Sequence, residues 1–335
     1  TLDLPRARLM ALHPAVAASR VAVRRALAGL EPGATLLVAC SGGADSLALL
    51  AAAVFESRTT NLRVVGVTVD HGLQVDSADH AAAVVAQMSE LGAVETASAR
   101  VRVDAPGLGP EAAARRARYE VIETMLEHFD AEICLLGHTQ DDQAETVLMG
   151  LARGSGARSL AGMRRSFDHF RRPFLDLTRQ QTEAACEAQG ITWWTDPHND
   201  DPAYTRVRVR KSLMPALERE LGPGVAAALA RTADQLRSDA DFLDDMAAEA
   251  LSAISTEVGL PVADLGQLAP AIRTRVLRMA AVEAGAIAAE LFAAHVGEID
   301  RLVTDWRGQA GVDLPGHLTA RRVAGVLVFI PKSSL

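Results

Sequence analysis

Leu36-Leu37-Val38-Ala39-Cys40-Ser41-Gly42-Gly43-Ala44-Asp45-Ser46-Leu47-Ala48-Leu49-Leu50 is the stretch that decides how this chain folds. Leu36 to Cys40 shows no polar alternation, the pattern of a strand covered on both faces. Gly42 and Gly43 allow backbone torsions that a side chain would block, and they let a ligand come close to the main chain. Asp45 and Ser46 fall where the first turn of an apolar helix begins. Free backbone N–H groups and the positive end of the helix dipole meet there, which favours an anion such as a phosphate. The simpler alternative is a glycine turn with Asp45 or Ser46 as an ordinary helix cap.

Working outward, apolar strands alternate with helical patterns. Val16, Val23, Leu27 and Leu30 share one face of a first helix that ends before Pro32-Gly33. After the glycine loop come a helix to Phe55, a strand over Leu62 to Val69, a helix over Ser77 to Leu91 and a strand over Val94 to Val103. A helix from Gly109-Pro110 to about Phe129 and a strand over Ile133 to Leu136 follow. That order predicts a doubly wound parallel α/β sheet, whose ligands bind beyond the carboxyl ends of the strands where strand order reverses. The first and fourth strand exits carry the unusual residues. Beyond Gly137, His138, Asp142 and Glu145 are spaced i, i+4, i+7 and share one face of a helix. Ala144, Val147, Leu148 and Leu151 form a separate stripe for packing on the sheet. A solvated acidic face is the plain alternative, and it leaves the crowding of a histidine and three carboxylates without a reason.

Composition narrows the class. The chain has 335 residues, 49% of them apolar and 23% charged, enough for two domains with a folded core. Cys40, Cys134 and Cys186 lie far apart, with no Cys-x-x-Cys pair, so neither a disulfide framework nor a metal cluster is signalled. No apolar run approaches a membrane span and no charged-then-apolar leader opens the sequence, so a cytoplasmic protein is expected. A formal net charge of −8 argues mildly against a generic nucleic-acid coat and leaves room for a local basic face.

Which phosphate the loop holds follows from its spacing. No lysine follows the glycines, as a Walker loop needs, and Gly-x-Gly-x-x-Gly is absent. Ser41-Gly42-Gly43-Ala44-Asp45-Ser46 resembles the pyrophosphate loop of ATP-pyrophosphatases, which cleave ATP between the α and β phosphates and adenylate a substrate. Asp45 would then suit a Mg²⁺ ligand, since this ion takes one or two carboxylates beside phosphate oxygens.

Further motifs occur in order: Asp70-His71-Gly72-Leu73, Glu111 through Arg115 to Arg118-Tyr119, and Gly137-His138 with Asp141-Asp142-Gln143-Ala144-Glu145-Thr146. Leu151-Ala152-Arg153-Gly154-Ser155-Gly156 with Gly162-Met163, Arg172-Pro173-Phe174, Asp196 to Asp200, and Tyr204-Thr205-Arg206 with Arg210 continue the series. Together, over about residues 35 to 215, they resemble the tRNA(Ile)-lysidine synthetases. The chain departs from the usual family pattern at Thr139, where a second histidine is common, and at Val207, where asparagine is.

The resemblance implies an enzyme that uses ATP to adenylate C2 of the wobble cytidine of tRNA(Ile) with a CAU anticodon, and then joins free L-lysine there. Ser41 to Ser46 and His71 would bind ATP and Asp45 the Mg²⁺. His138 and Arg118 are the candidates for positive groups at the α phosphate, Arg118 being weighted through the motif rather than its spacing. Asp142 and Glu145 fit a cationic amino acid. Arg153, Arg158, Arg164, Arg165, Arg171, Arg172, Arg206, Arg208, Arg210 and Lys211 offer a basic surface for RNA.

Residues 1–220 are expected to form the catalytic domain and 221–335 a smaller, mainly helical one that contacts the tRNA body, Arg321 and Arg322 among the candidates. Leu229, Leu236 and Leu243, with Ala233, Ala240 and Ala247, repeat every seven residues. That pattern suits either a seam for a homodimer or a helix packed inside its own chain. Helices around Pro270 to Ala284 and Ala288 to Trp306 and a strand pair over 312 to 330 complete the expectation. Two rivals stand beside this reading. One is another ATP-pyrophosphatase, such as a tRNA thiolase or an amidating synthetase, although paired cysteines and a fused glutaminase are missing. The other is a non-catalytic nucleotide-binding module, which would leave His138 to Glu145 without a task.

Overall fold

The structure, a computed structural model, describes residues 12–70, 77–101, 110–153, 157–196 and 200–332, without the side chains of 110–115, 153 and 157. Two compact units emerge. One comprises residues 1–149 and 162–231, and the other 150–161 and 232–335. The boundary expected near residue 220 falls at the end of a helix, about one short helix before the division seen here.

The first unit is built on a six-stranded sheet in the order β3-β2-β1-β4-β6-β5. Its strands are β1 (Thr35–Ala39), β2 (Arg63–Asp70), β3 (Glu95–Arg100), β4 (Ala131–Leu136), β5 (Ser166–Phe167) and β6 (Phe170–Arg171). All pairings are parallel except β5 with β6, at one edge. From β1 the chain moves out to β2 and β3, then returns to place β4 on the other side of β1. Strand order therefore reverses between β1 and β4, as the pattern of strands and helices predicts.

Alternation along β1 explains why Leu36 to Ala39 are all apolar. Leu36 and Val38 enter a core shared with helices α1 (Pro14–Ala26), α2 (Ala44–Thr60), α3 (Ser77–Glu90) and α7 (Arg179–Glu187). Leu37 faces the opposite way, into a core with Val65, Cys134 and with Ile122, Met125 and Leu126 of α4 (Pro110–His128). Both faces are covered, so the β1 side chains beyond Thr35 are apolar. β3, at the other edge, has no buried position.

Helix α5 (Gln140–Arg153) follows β4. Its predicted packing stripe holds at Ala144 and Val147, which are buried, while Leu151 near its end is exposed. The short α6 (Ala157–Leu160) precedes β5, and α8 (Thr205–Arg208), a π-helical turn over Val209–Leu213 and α9 (Met214–Leu221) run on from one another after α7.

The long α10 (Val225–Ile254) leads into the second unit. There α11 (Val262–Gln267), α12 (Pro270–Glu283) and α13 (Ala293–Thr304) pack with an antiparallel sheet of order β7-β10-β9-β8. These strands are β7 (Leu260–Pro261), β8 (Val312–Leu314), β9 (Leu318–Val323) and β10 (Val326–Pro331), so the expected strand pair is part of a four-stranded sheet. β9 and β10 join through Ala324 and Gly325, both at positive φ (48° and 82°), the two-residue turn whose twist matches a hairpin. In the heptad of α10 the alanines Ala233, Ala240 and Ala247 are the buried set, and Ala247 lies in the core of this unit. Helix α13 starts five residues later than the sequence suggests, where the Phe292 N–H donates to His295 Nδ1 at 3.1 Å. Among the described residues no helix is long and apolar enough to cross a membrane.

Candidate active site

The loop after β1 is held from within. Gly42 takes φ +83°, and a Cβ there would come within 2.8 Å of Val84 on α3. Gly43 caps α2 in an extended conformation, so the N–H groups of the first turn stay open. Ser46 is buried, and its hydroxyl closes the loop by accepting from the Ser41 N–H (3.2 Å) and donating to the Gly43 carbonyl (2.9 Å). Ser46 therefore shapes the loop, while Ser41 is exposed at its mouth. Gly137, leaving β4, brings the second motif against this one: a Cβ on it would sit 3.1 Å from the Asp45 carbonyl carbon and from Ser46 N. His71 lies outside the described residues.

Asp45 begins α2. Its carboxylate accepts from the Thr182 hydroxyl, and Arg179 Nε stands 3.7 Å away. Burial pushes the Asp45 pKa up to about 6, helped by the nearby Asp142 and opposed by Thr182, Arg179 and Arg210. This is a carboxylate whose charge its surroundings only partly compensate. No group of three or more metal-ligating side chains exists among the described residues. Any ion here would take Asp45 plus oxygens of the substrate, and that donor set fits Mg²⁺.

The α5 cluster is made of side chains from four segments. Asp142 Oδ2 accepts from both the N–H (2.8 Å) and the hydroxyl (3.0 Å) of Thr139, the cap of α5. The reciprocal N-cap bond fixes Asp142 at the third helical position, a task for which the threonine suits this chain. Asp142 Oδ1 accepts from Arg179 Nη2 (3.0 Å) and Arg210 Nη2 (3.3 Å). Burial raises the Asp142 carboxyl, but Arg179, the Thr139 N–H and Arg210 outweigh it and hold the pKa below the usual carboxylate range.

Glu145 lies deeper, its side chain only 2% exposed. Arg210 grips it with both prongs, Nε to Oε1 at 2.6 Å and Nη2 to Oε2 at 3.1 Å, with Arg206 and Arg179 at 3.7 and 3.8 Å. Its pKa is raised, chiefly by burial, with Asp142 adding to the rise and Arg210 and Arg179 opposing it. Asp45, Asp142 and Glu145 thus meet three guanidiniums in one cluster. Arg206 and Arg210 are one helical turn apart, on α8 and the π-helical turn, and both face Glu145.

His138 is set by another arginine. Arg172 is buried; its Nε donates to His138 Nδ1 (3.2 Å), Nη1 to the Arg164 carbonyl (2.5 Å) and Nη2 to the Tyr119 hydroxyl (3.0 Å). Its guanidinium also lies over the Phe167 ring at 4.5 Å. Since Nδ1 accepts from Arg172, the ring's donor is Nε2, with the fixed positive charge of Arg172 behind it. Arg118 lies exposed on α4, next to Tyr119.

Sequence reasoning found the loop, His138, Asp142 and Glu145, and it grouped Arg172, Arg206 and Arg210 with an RNA-facing surface. The structure turns those three inward, because the buried carboxylates need donors and the His138 Nδ1 accepts one. Others of that group are engaged locally. Arg165 pairs with Asp176, Arg208 bonds the Pro202 and Ala203 carbonyls, Lys211 pairs with Asp200, and Arg158 with Asp244. Arg179 and Thr182 were missed altogether. Thr178 with Gln181 announces the helix that carries them, and nothing nearby marks their direction.

A PP-loop domain model matches residues 18–217. The fold agrees: the U34-tRNA thiolase NcsA from Methanococcus maripaludis aligns with a TM-score of 0.56 at 18% identity, over 66% of this chain and 79% of that one. The class of protein is thereby an α/β ATP-binding protein of the PP-loop type. A second model, the TilS substrate binding domain, matches residues 260–328. The chain is 49% identical to the tRNA(Ile)-lysidine synthase of Streptomyces coelicolor, covering 95% of this chain and 99% of the relative. It is 52% identical to that of Thermobifida fusca, covering 94% and 97%. This chain belongs to the tRNA(Ile)-lysidine synthase family.

Proposed function

We propose that the chain forms lysidine in two steps. ATP adenylates the C2 oxygen of the wobble cytidine of tRNA(Ile) with a CAU anticodon, releasing pyrophosphate. The ε-amine of free L-lysine then attacks C2 and expels AMP. The observation that carries this reading is the meeting, at one strand-order reversal, of an anion-binding loop with an α5 cluster of buried carboxylates, in a chain about half identical to the synthases along most of its length.

In the first step the N–H groups of the loop hold the departing pyrophosphate. Asp45 would hold Mg²⁺, which supplies charge neutralisation at the phosphates. His138 donates from Nε2 where charge grows on the α phosphate, with Arg118 as the positive group and His71 as a further contact to ATP.

In the second step Asp142 and Glu145 divide the work. Glu145 is nearly enclosed and held two-pronged by Arg210, so it keeps the arginines in place. Asp142, the more accessible of the two, holds the lysine ammonium. Its lowered pKa keeps it charged at neutral pH and makes it a poor base, so the amine must lose its proton as it attacks.

Residues up to about 220 carry this chemistry, and residues 221–335 position the tRNA, in line with the substrate-binding match. Arg321 bonds the Ala310 carbonyl through Nε, and Arg322 the Leu302 carbonyl through Nη1 while stacking on Trp306. Any phosphate contact of these two falls to their remaining donors. Incubation with labelled lysine, ATP and tRNA tests the whole reading. Lysine incorporation is expected only with ATP and the CAU tRNA, with AMP and pyrophosphate released in equal amounts. Pyrophosphate release without lysine incorporation would point to another PP-loop activity.

A further inference from the structure

Three consecutive carbonyls of the loop, those of Ser41, Gly42 and Gly43, each accept a hydrogen bond from a fixed donor. Ser41 O faces His80 Nε2 at 3.1 Å, Gly42 O accepts from the Trp194 N–H at 2.9 Å, and Gly43 O from the Ser46 hydroxyl at 2.9 Å. In a trans peptide the N–H points away from the carbonyl it is bonded to. Anchoring carbonyls 41, 42 and 43 therefore turns the N–H groups of Gly42, Gly43 and Ala44 away from those donors. Successive N–H groups fixed in this way form an anion cradle.

Two of the anchors come from outside the loop and support each other. The His80 ring, on α3, lies against the Trp194 ring with centroids 3.9 Å apart and planes 38° from parallel. Gln87, two turns further along α3, donates to the Thr192 carbonyl at 3.0 Å, tying the same helix to the same segment. Gly42 presses on this pair so closely that a Cβ would lie 3.0 Å from His80 Cε1. Among the described residues His80 is the one side chain outside the loop seen to bond the carbonyls of Ser41, Gly42 or Gly43.

We infer that His80 is a positioning residue for adenylation: by donating from Nε2 to the Ser41 carbonyl, with its ring seated on Trp194, it aims the Gly42 N–H at the pyrophosphate of ATP. This rests on the loop being the pyrophosphate site. It predicts an effect on ATP use and none on lysine use.

His80→Phe keeps a ring on Trp194 and removes the donor, whereas His80→Gln removes the ring and keeps an amide that can donate. In the full-length enzyme with tRNA, His80→Phe should raise the KM for ATP in ATP–pyrophosphate exchange about tenfold, the size of one lost hydrogen bond. The KM for lysine should stay within about twofold, and His80→Gln should recover most of the ATP affinity. An unchanged KM for ATP in His80→Phe, or equal losses in both variants, would overturn the proposal. Wild-type protein gives a check that does not depend on how the variants fold. Nitrogen-15 spectra should show His80 Nε2 protonated, and a bare Nε2 would contradict the bond to Ser41. Added inorganic pyrophosphate should shift the amides of Gly42, Gly43 and Ala44. If those amides stay put, the pyrophosphate reading of the loop fails; if they shift but His80→Phe behaves as wild type, only the role of His80 fails.

Discussion

The loop after β1 and the charge cluster on α5 sit at adjoining strand ends and are made of different material. In the loop, main-chain groups of consecutive residues form the proposed cradle, and side chains such as Ser46 hold them in place. The cluster is built of side chains, which come from α5, α7, α8 and the π-helical turn, as far as 68 residues apart in sequence. A phosphate is large and needs several weak donors around it, which a backbone supplies cheaply. An ammonium beside a carboxylate needs exact charge balance, which takes ionised side chains held by others. The contrast implies that the loop tolerates changes in its surroundings better than the cluster does, Asp45 being the exception.

Asp45→Asn should have the largest effect. Without a carboxylate for Mg²⁺, ATP–pyrophosphate exchange should fall by about 10³-fold, several kcal/mol of charge stabilisation. The fold should not suffer. With a pKa of about 6 in the folded protein and an ordinary one when unfolded, the protonated Asp45 is the form that folding favours. Its charge therefore costs nothing below about pH 4, a growing amount between about pH 4 and 6, and a constant amount above, at most about 3 kcal/mol. Thermal unfolding without Mg²⁺ should show Asp45→Asn gaining stability relative to wild type over that interval and keeping the gain at pH 7. Normal exchange at low Mg²⁺ would remove Asp45 from the metal role.

Arg210→Met tests the cluster. It strands Glu145 as a buried charge without its two-pronged partner, and loss of one partner of such a pair costs about 3–5 kcal/mol. Adding Glu145→Leu should restore most of that stability in denaturant titrations without restoring lysine transfer. If the single change is nearly neutral, Arg179 and Arg206 suffice for Glu145.

How much of this was legible follows the same division. The loop could be read because its parts are contiguous: an unbroken apolar strand, two glycines and a helix start. His138, Asp142 and Glu145 could be read because helical spacing places them on one face. Their partners could not. Nothing about Arg206 or Arg210 in sequence says whether a guanidinium faces solvent or a carboxylate 65 residues earlier, and the default reading of an arginine run is a surface. Arg172 shows the same limit, being a buried cation satisfied by a histidine, a carbonyl, a tyrosine and a ring. The doubly wound parallel sheet, by contrast, followed from the alternation of elements, since few arrangements bury apolar strands on both faces.

Thr182→Val should give a smaller effect. Losing its bond to Asp45 removes about 1 kcal/mol from the charged form and moves the Asp45 pKa further up. The acidic limb of the exchange pH profile should therefore move to higher pH, with little change above pH 8. A shift to lower pH would mean that Thr182 does not serve the carboxylate.

The most direct test of the division between loop and cluster is Asp142→Ala assayed for both half-reactions on one preparation. ATP–pyrophosphate exchange, with tRNA and without lysine, reads the loop; lysine incorporation reads the cluster. Exchange is expected to stay within about fivefold of wild type while incorporation falls by at least about 10²-fold, the loss of a charged partner to the ammonium. Equal losses in both assays, or lost ATP affinity with intact lysine dependence, would contradict the account.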